Sequence, residues 1–286
     1  MGRTSKQVDR HKMIGFLIDV EFVWGFQSKI VGYSKTSPSF TYPPPTTILG
    51  AIAEHIAKEN VLGEGKAREV IPMLSKKLLA IGLRPVNCLS IKFSDLNRLI
   101  AIRITTGIHY PTTKDLSGSY DAPATGKTIL TSLNGEPPKL TLYLVFEDSS
   151  VGRIGDKEII IDKYAMWNIH RLGSKESIVS VIDVKEFEPQ KLTGELTTTY
   201  SFPLIDGVTL IKDVIQKWSQ ELLINPFNLQ LYDPVTQYLL GQKTVRFYVP
   251  ILESPNCQPT YKLKVAGNTC GYKYDEEVLV GICAVA

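Results

Sequence analysis

The sequence has little that would mark a membrane protein, a metalloenzyme or a secreted protein. No stretch approaches the roughly 18 apolar residues that a bilayer-crossing helix needs. The opening MGRTSKQVDRHK is polar with no apolar run behind it, which argues against a secretory signal. Residues 1–12 read as a disordered leader, with folding expected from Met13. Cys88, Cys257, Cys270 and Cys283 contain no C-x-x-C pair, and with the scattered His11, His55, His109 and His170 they offer no zinc spacing. They read as reduced thiols of a cytoplasmic protein, Cys257 and Cys270 being the one pair worth checking for a bond. No metal, cofactor or membrane partner is expected. A G-x-S-x-G elbow is missing too. The run ATGKT at Ala124–Thr128 lacks the first glycine of a nucleotide-binding loop, because Asp121 stands there. Lys127 then reads as a mobile cation on a loop.

The most telling absence is of acid. No Asp or Glu occurs from Phe22 to Ala53. The net charge of the 286 residues is only +3, but residues 1–130 hold 17 Lys+Arg against 10 Asp+Glu, and residues 131–286 hold 15 against 19. A basic, aromatic, acid-free stretch suits an anionic partner such as RNA, and it equally suits residues that are partly core. With 43% hydrophobic residues the chain is long enough for one large or two modest domains.

Ile14–Trp24 alternates Asp19 and Glu21 on one side of an apolar run and predicts a strand ended by Gly25. A long loop leads through SPSFTYPPP to a helix that begins at Pro45 or Thr46, with Thr46 or Thr47 as cap. Ile48, Leu49, Ile52, Ala53, Ile56 and Ala57 form its apolar face, and Glu54 and Lys58 pair on the other side. A second helix over Ala67–Leu79 is expected to break or kink at Pro72. Strands follow at Leu89–Phe93 and Leu99–Thr105, then a loop without apolar period over Gly107–Thr128, then a strong strand over Lys139–Glu147. From Leu192 onward short β runs dominate, with one helix expected at Leu210–Leu223 carrying Trp218. The order predicts an α+β, ferredoxin-like or RRM-like domain over 13–190 with an insertion, followed by a β-rich C-terminal region over 191–286.

Three clusters carry candidate chemistry. Trp24, Phe26, Tyr33, Phe40 and Tyr42 offer flat faces for base stacking beside Gln27, Ser28, Lys29 and Lys35; the same rings would serve a core. Consecutive prolines hold Phe40 and Tyr42 at a fixed angle to the helix start, whose amides form an anion site. NIHRLGSKES, Asn168–Ser177, places Ser174, Lys175 and Ser177 around Gly173 with Arg171 nearby, which fits a phosphate cradle or an ordinary hairpin turn with solvated charges. His109, Tyr110 and Lys114 would suit general acid–base cleavage of RNA without metal, or a non-catalytic loop that touches RNA.

VWGFQSKIVGYSKTSPSFTYPPPTTILGAI and the later RLGSKESIV resemble a CRISPR-associated family, the Cascade subunit that binds the 5′ handle of the guide RNA (Cas family five, within the RAMP superfamily). The match rests on Tyr42, Pro44, Pro45, Thr46, Thr47 and Gly50, then on Arg171, Leu172, Gly173, Ser174 and Glu176, within residues 14–185. Within that family it resembles the archaeal subtype I-A or I-D branch. The resemblance implies a ferredoxin-like domain with an inserted β-hairpin thumb, placed at about residues 98–130. It implies a non-catalytic subunit that caps the handle and contacts the backbone and large subunits. Arg171–Lys175 would hold handle phosphates, with Lys29, Thr46 and Thr47 on the same strand; Arg103, His109, Lys114, Lys127 and His170 complete the expected RNA contacts. The alternatives are a precursor-processing endoribonuclease and a purely protein-binding scaffold.

Overall fold

A computed structural model of the chain describes residues 12–28, 30, 38–96, 99–100, 103–105, 108–110, 120–121, 124–211, 217–230, 234–254 and 256–284, with backbone alone for those within 94–125 and for 234–235. β1 (Ile14–Phe22) follows the alternation in its sequence. Phe16, Ile18, Val20 and Phe22 are buried, and Asp19 and Glu21 take the opposite face. β2 (Gly25–Phe26) follows. Gly25 has φ +146° and lies so close to the Thr128 carbonyl that no side chain fits there.

α1 (Pro45–Glu59) buries Ile48, Leu49, Ile52, Ala53, Ile56 and Ala57, the face its spacing predicts, and Lys58 donates to Glu54 at 2.8 Å on the other side. The expected threonine cap is not made. The N-cap is Pro44, with no side-chain hydrogen bond, because Thr46 and Thr47 already lie inside the first turn. α2 (Glu64–Lys77) starts earlier than expected and runs unbroken through Pro72. Val70 and Leu74 flank Pro72 and are fully buried, which holds the turn, while the carbonyl deprived of a donor belongs to the exposed Arg68.

β3 (Leu78–Pro85) follows directly. Then β4 (Cys88–Leu96), β5 (Leu99–Ile100), β6 (Arg103–Thr105), β7 (Ile108–Tyr110), β8 (Tyr120–Asp121) and β9 (Ala124–Ser132) build a hairpin arm. Its stem is the β4–β9 ladder, in register from Cys88 opposite Ser132 to Leu96 opposite Ala124. The sequence reading of Gly107–Thr128 as a plain loop is corrected here: 108–110 and 120–121 are strand, and Ala124–Thr128 begins β9. Thr125, Thr128 and Ile129 are β-branched and pair well, a preference outweighed in the sequence by the surrounding Gly and Pro.

After β10 (Lys139–Phe146) come the hairpin β11 (Ser150–Ile154) and β12 (Lys157–Ile160), the short α3 (Lys163–Trp167) and β13 (Val179–Phe187). The C-terminal part adds β14 (Gln190–Leu192), β15 (Gly194–Thr198), β16 (Phe202–Leu204), β17 (Val208–Leu210), β18 (Trp218–Ile224), α4 (Pro234–Leu239), β19 (Thr244–Pro250), β20 (Tyr261–Val265), β21 (Thr269–Tyr274) and β22 (Glu277–Ile282). The fold is α+β, rich in sheet and poor in helix. The main sheet runs β13-β1-β10-β3-β22-β21-β14, and β15-β20-β17 and β16-β19-β18 form two further sheets. Among β13, β1, β10 and β3 all neighbours are antiparallel. α1 and α2 connect β1 to β3, and α3 connects β10 to β13. The helices close the main core against Phe16, Ile18, Leu142 and Leu144. Tyr143, Tyr200, Tyr272 and Leu279 pack on the other face.

Two expectations fail in the C-terminal part. Trp218–Leu223, expected to be helical, lies in β18, which pairs with β19 over its whole length. Its burial alternates from Gln220 to Leu223, so the period is two. Residues 212–216 of that expectation lie outside the described residues. The cysteines also differ from a fully reduced set: Cys270 is disulfide-bonded to Cys283, with Cα atoms 5.1 Å apart, and Cys257 is not its partner. The β21–β22 hairpin causes this, because Thr269 faces Ile282 and so brings the neighbouring cysteines together. Among the described residues no helix is long and apolar enough to cross a membrane.

Candidate nucleic-acid interface

The turn after α3 is fastened to the segment after β2. Leu172 N donates to Ser177 O at 3.0 Å, Ser177 N to Ser174 O at 2.9 Å, and Val179 N to His170 O at 3.0 Å, which closes the turn on itself. Ser174 N then donates to Gln27 O at 3.0 Å, and Gln27 N donates to the buried Ser177 Oγ at 2.9 Å. Trp24 Nε1 adds a bond of 2.9 Å to Glu176 O. Gly173 has φ +128°, and a Cβ there would meet Gln27 O at 2.7 Å. Only glycine therefore allows the turn to sit this close to the strand end. These bonds correct the idea of a cradle built from open backbone amides: those of Leu172, Ser174 and Ser177 are already used.

What remains at the surface is charge. Arg171 is half-buried, and His170 and Lys175 are exposed. Beside them an open cleft of about 310 Å³ is lined by Gln27, Ser28, Thr47, Gly50, Ala51, Glu54, Arg171 and Gly173. Gly50 and Ala51 make room for it, since neither carries a long side chain. Glu54 is the acid of the cleft. It accepts from Lys58 at 2.8 Å and from Arg171 at 3.1 Å, and His170 Nε2 lies 3.9 Å away. The Lys58 hydrogen bond, with help from the Arg171 and His170 charges, holds its carboxyl below the usual carboxylate range against the opposing effect of burial. An anion entering the cleft meets Arg171 already oriented, and competes with Glu54 for it.

The start of α1 contributes less than the sequence suggests. Pro45 has no N–H, and those of Thr47 and Ile48 donate to Pro44 O at 2.9 and 3.4 Å. Thr46 and Thr47 themselves are half-buried, Thr47 on the cleft wall.

The expected RNA-contacting residues divide into three groups. Gln27, Ser28, Thr47, Arg171 and Gly173 come together at the cleft; His170, Ser174 and Lys175 belong to the same turn, Thr46 precedes Thr47, and Trp24 bonds to Glu176 O of the turn. Phe26 and Tyr42 do not belong there. They are 0% and 2% exposed and lie in the main core with Phe40, so their rings offer no open stacking face. Burial also pushes the Tyr42 hydroxyl pKa up. Lys127 lies on β9 opposite Phe93, next to Thr128, the register partner of Phe26, so it stands beside the strand end that leads to Gln27. It is a strand residue and not a loop cation. Arg103 on β6 faces Tyr110 on β7, and His109 faces Ile104; their side chains, and all of Lys29 and Lys114, lie outside the described residues. The sequence reading missed Glu54 as a cleft residue because its pairing with Lys58 already explained it. Among the described residues no three His, Cys, Asp or Glu side chains group so as to hold a metal ion.

No family model matches the chain. Among curated proteins it is similar to "CRISPR system aCascade subunit Cas5 1" of Saccharolobus solfataricus, 24% identical over 250 residues, which cover 82% of this chain and 92% of the relative. It is also similar to "CRISPR-associated protein Cas5 3" of the same organism, 26% identical over 197 residues, covering 66% of this chain and 72% of the relative. Among solved structures, a CRISPR protein from Archaeoglobus fulgidus is 41% identical, covers 94% of this chain and 100% of its own, and superposes with a TM-score of 0.69. Thr47 and Gly50 of the first motif and Arg171 and Gly173 of the second line the cleft, and the chain belongs to the Cas5 family of CRISPR-associated proteins.

Proposed function

We propose that this chain is a non-catalytic, RNA-binding subunit of a type I CRISPR Cascade complex that caps the 5′ handle of the guide RNA. The observation that carries the reading is the cleft itself. Two segments more than 140 residues apart are hydrogen-bonded together so that Arg171 lines one opening beside α1, with His170 3.9 Å from its Glu54 and the exposed Lys175 on the same turn. Arg and Lys there neutralise phosphates, while Gln27, Ser28 and Thr47 supply uncharged hydrogen bonds.

The strand order supports a ferredoxin-like core over residues 13–190. β1, β3, β10 and β13 with their helices follow a β-α-β-β-α-β path, and neighbours in the sheet run 4-1-3-2 in that path. The β4–β9 arm is the thumb inserted between the second and third of these strands. Its outer face carries Ile91, 44% exposed, and Phe93, 47% exposed, apolar surface that suits the backbone subunit. Residues 191–286 complete the sheet through β14, β21 and β22.

The test is binding of a fluorescent repeat-derived 5′-handle RNA at two salt concentrations to wild type and to Arg171→Ala/Lys175→Ala. Wild type binds the handle in preference to an unrelated RNA of equal length. Losing two phosphate contacts lowers the salt slope by about 1.4. Equal affinity of wild type for both RNAs overturns the reading. Cleavage of repeat RNA in EDTA by wild type, abolished in His109→Ala, would replace it with the endoribonuclease.

A further inference from the structure

β18 points Leu223 into the main core, and Glu221, two residues earlier, points the same way opposite Phe247 of β19. A carboxylate thus stands on the inward side of β18 between Ser219 and the core residue Leu223, and it is only 8% exposed. Burial of an ion is unfavourable unless it is paired and hydrogen-bonded. Glu221 Oε1 accepts from Thr41 N at 2.8 Å, from Thr41 Oγ1 at 2.6 Å and from Lys92 Nζ at 2.9 Å. Thr41 belongs to the proline-rich entrance to α1, and Lys92 to the β4 strand of the arm. The same entrance is tied to the other strand of the arm: Ser39 Oγ and Thr128 Oγ1 are 2.7 Å apart, and Thr128 Oγ1 donates to Phe40 O. Residues 39–41 are therefore clamped between both strands of the arm and β18. For stability alone an apolar residue at 221 would serve as well. What the carboxylate adds is direction, because its bonds hold only at one relative placement of arm, entrance and C-terminal sheet.

We propose that Glu221 is a positioning residue that sets the arm at a fixed orientation to α1, so that RNA held at the Arg171 cleft meets the arm in register. The RNA part rests on the function proposed above; the orientation part does not. The other charges near this tie are Lys217 and Glu253, which line the adjoining cleft with Lys92 and pair with each other at 3.0 Å.

The experiment uses full-length wild type, Glu221→Gln, Lys92→Met, and Lys92→Arg, which keeps a cationic donor for Glu221. Each is measured for handle RNA against an unrelated RNA of equal length, for thermal unfolding, and for the distance between nitroxide labels at Thr131→Cys on the arm and Glu69→Cys on α2 in a Cys257→Ser background. Wild type gives a narrow distance distribution. Glu221→Gln and Lys92→Met remain folded, broaden it, and lose about tenfold in handle selectivity. Lys92→Arg keeps the narrow distribution and the selectivity, because it still donates to Glu221 and leaves both Thr41 bonds in place. Narrow distributions in folded Glu221→Gln and Lys92→Met overturn the proposal, as does a selectivity loss that tracks the melting temperature and is as large in Lys92→Arg as in Lys92→Met. If wild type shows no handle selectivity, the RNA function falls, and the distance distributions alone decide whether Glu221 orients the arm. If Glu221→Gln does not fold, Lys92→Met, altered at a half-exposed position, decides the same points.

Discussion

The proline entrance, residues 38–44, and the glycine turn, residues 170–178, both meet the first half of α1, and they use their polar groups in opposite directions. In the entrance Ser39 and Thr41 are buried at 2% and 4% exposure and bond inward to the arm and to Glu221, while Phe40 and Tyr42 fill the core. In the turn the buried hydroxyl of Ser177 bonds inward, but Arg171, Lys175 and His170 stay at the surface. An aromatic, stiff, acid-free segment is thus structural, and a plain glycine turn carries the charge. Stiffness in the entrance serves the placement of the arm and does not present stacking faces.

The comparison breaks first at Tyr42. If the entrance is core, Tyr42→Ala lowers the unfolding free energy by about 3–5 kcal/mol in urea titration. An exposed stacking ring would cost well under about 1 kcal/mol in stability and would weaken RNA binding instead. Gly173→Ala is the matching change in the turn. With φ +128° and Gln27 O only 2.7 Å from the new Cβ, it costs about 1–3 kcal/mol. Because strain there separates the turn from residue 27, handle affinity falls with it; unchanged affinity would detach the turn from the RNA.

Much of this was readable in the sequence. The buried face of α1, the alternation of β1 and the buried run of β10 follow from residue spacing, because each element has one dominant period. β18 was misread because WSQELL has apolar residues at both helical and strand spacing, and only pairing with β19 decides between them. Pro72 suggested a break, and neighbouring buried side chains overrode it. Arg171 and Gly173, which the motif singles out, line the cleft. Phe26 and Tyr42 were assigned to the interface because a ring looks the same in a core and on a surface. The tie at Glu221 was not legible at all: parity along β18 places the carboxylate inward, but its partner Thr41 is 180 residues away.

A smaller effect tests how firmly the turn is held. Trp24→Phe keeps a ring and removes the Nε1 bond to Glu176 O, which costs about 1 kcal/mol. Because the bonds of Gln27 to Ser177 and Ser174 persist, handle affinity changes less than in Gly173→Ala. The reverse order would make Trp24, with its ring against the RNA, the main contact.

Glu54 gives the smallest change in stability and the sharpest sign. Its folded pKa is depressed from 4.5, so its contribution is fully present above that value and is lost as pH falls through the lower folded one. As a partly exposed acid it contributes less than about 1 kcal/mol, and the difference between wild type and Glu54→Gln should vanish in acid. RNA binding moves the other way. At neutral pH Glu54 engages Arg171 at 3.1 Å, so Glu54→Gln releases the guanidinium to phosphate and raises handle affinity by about threefold. A fall in affinity would mean that Glu54 orients Arg171 more than it competes for it. In either case the variant that weakens the fold slightly reports directly on the cleft, which no substitution in the entrance can do.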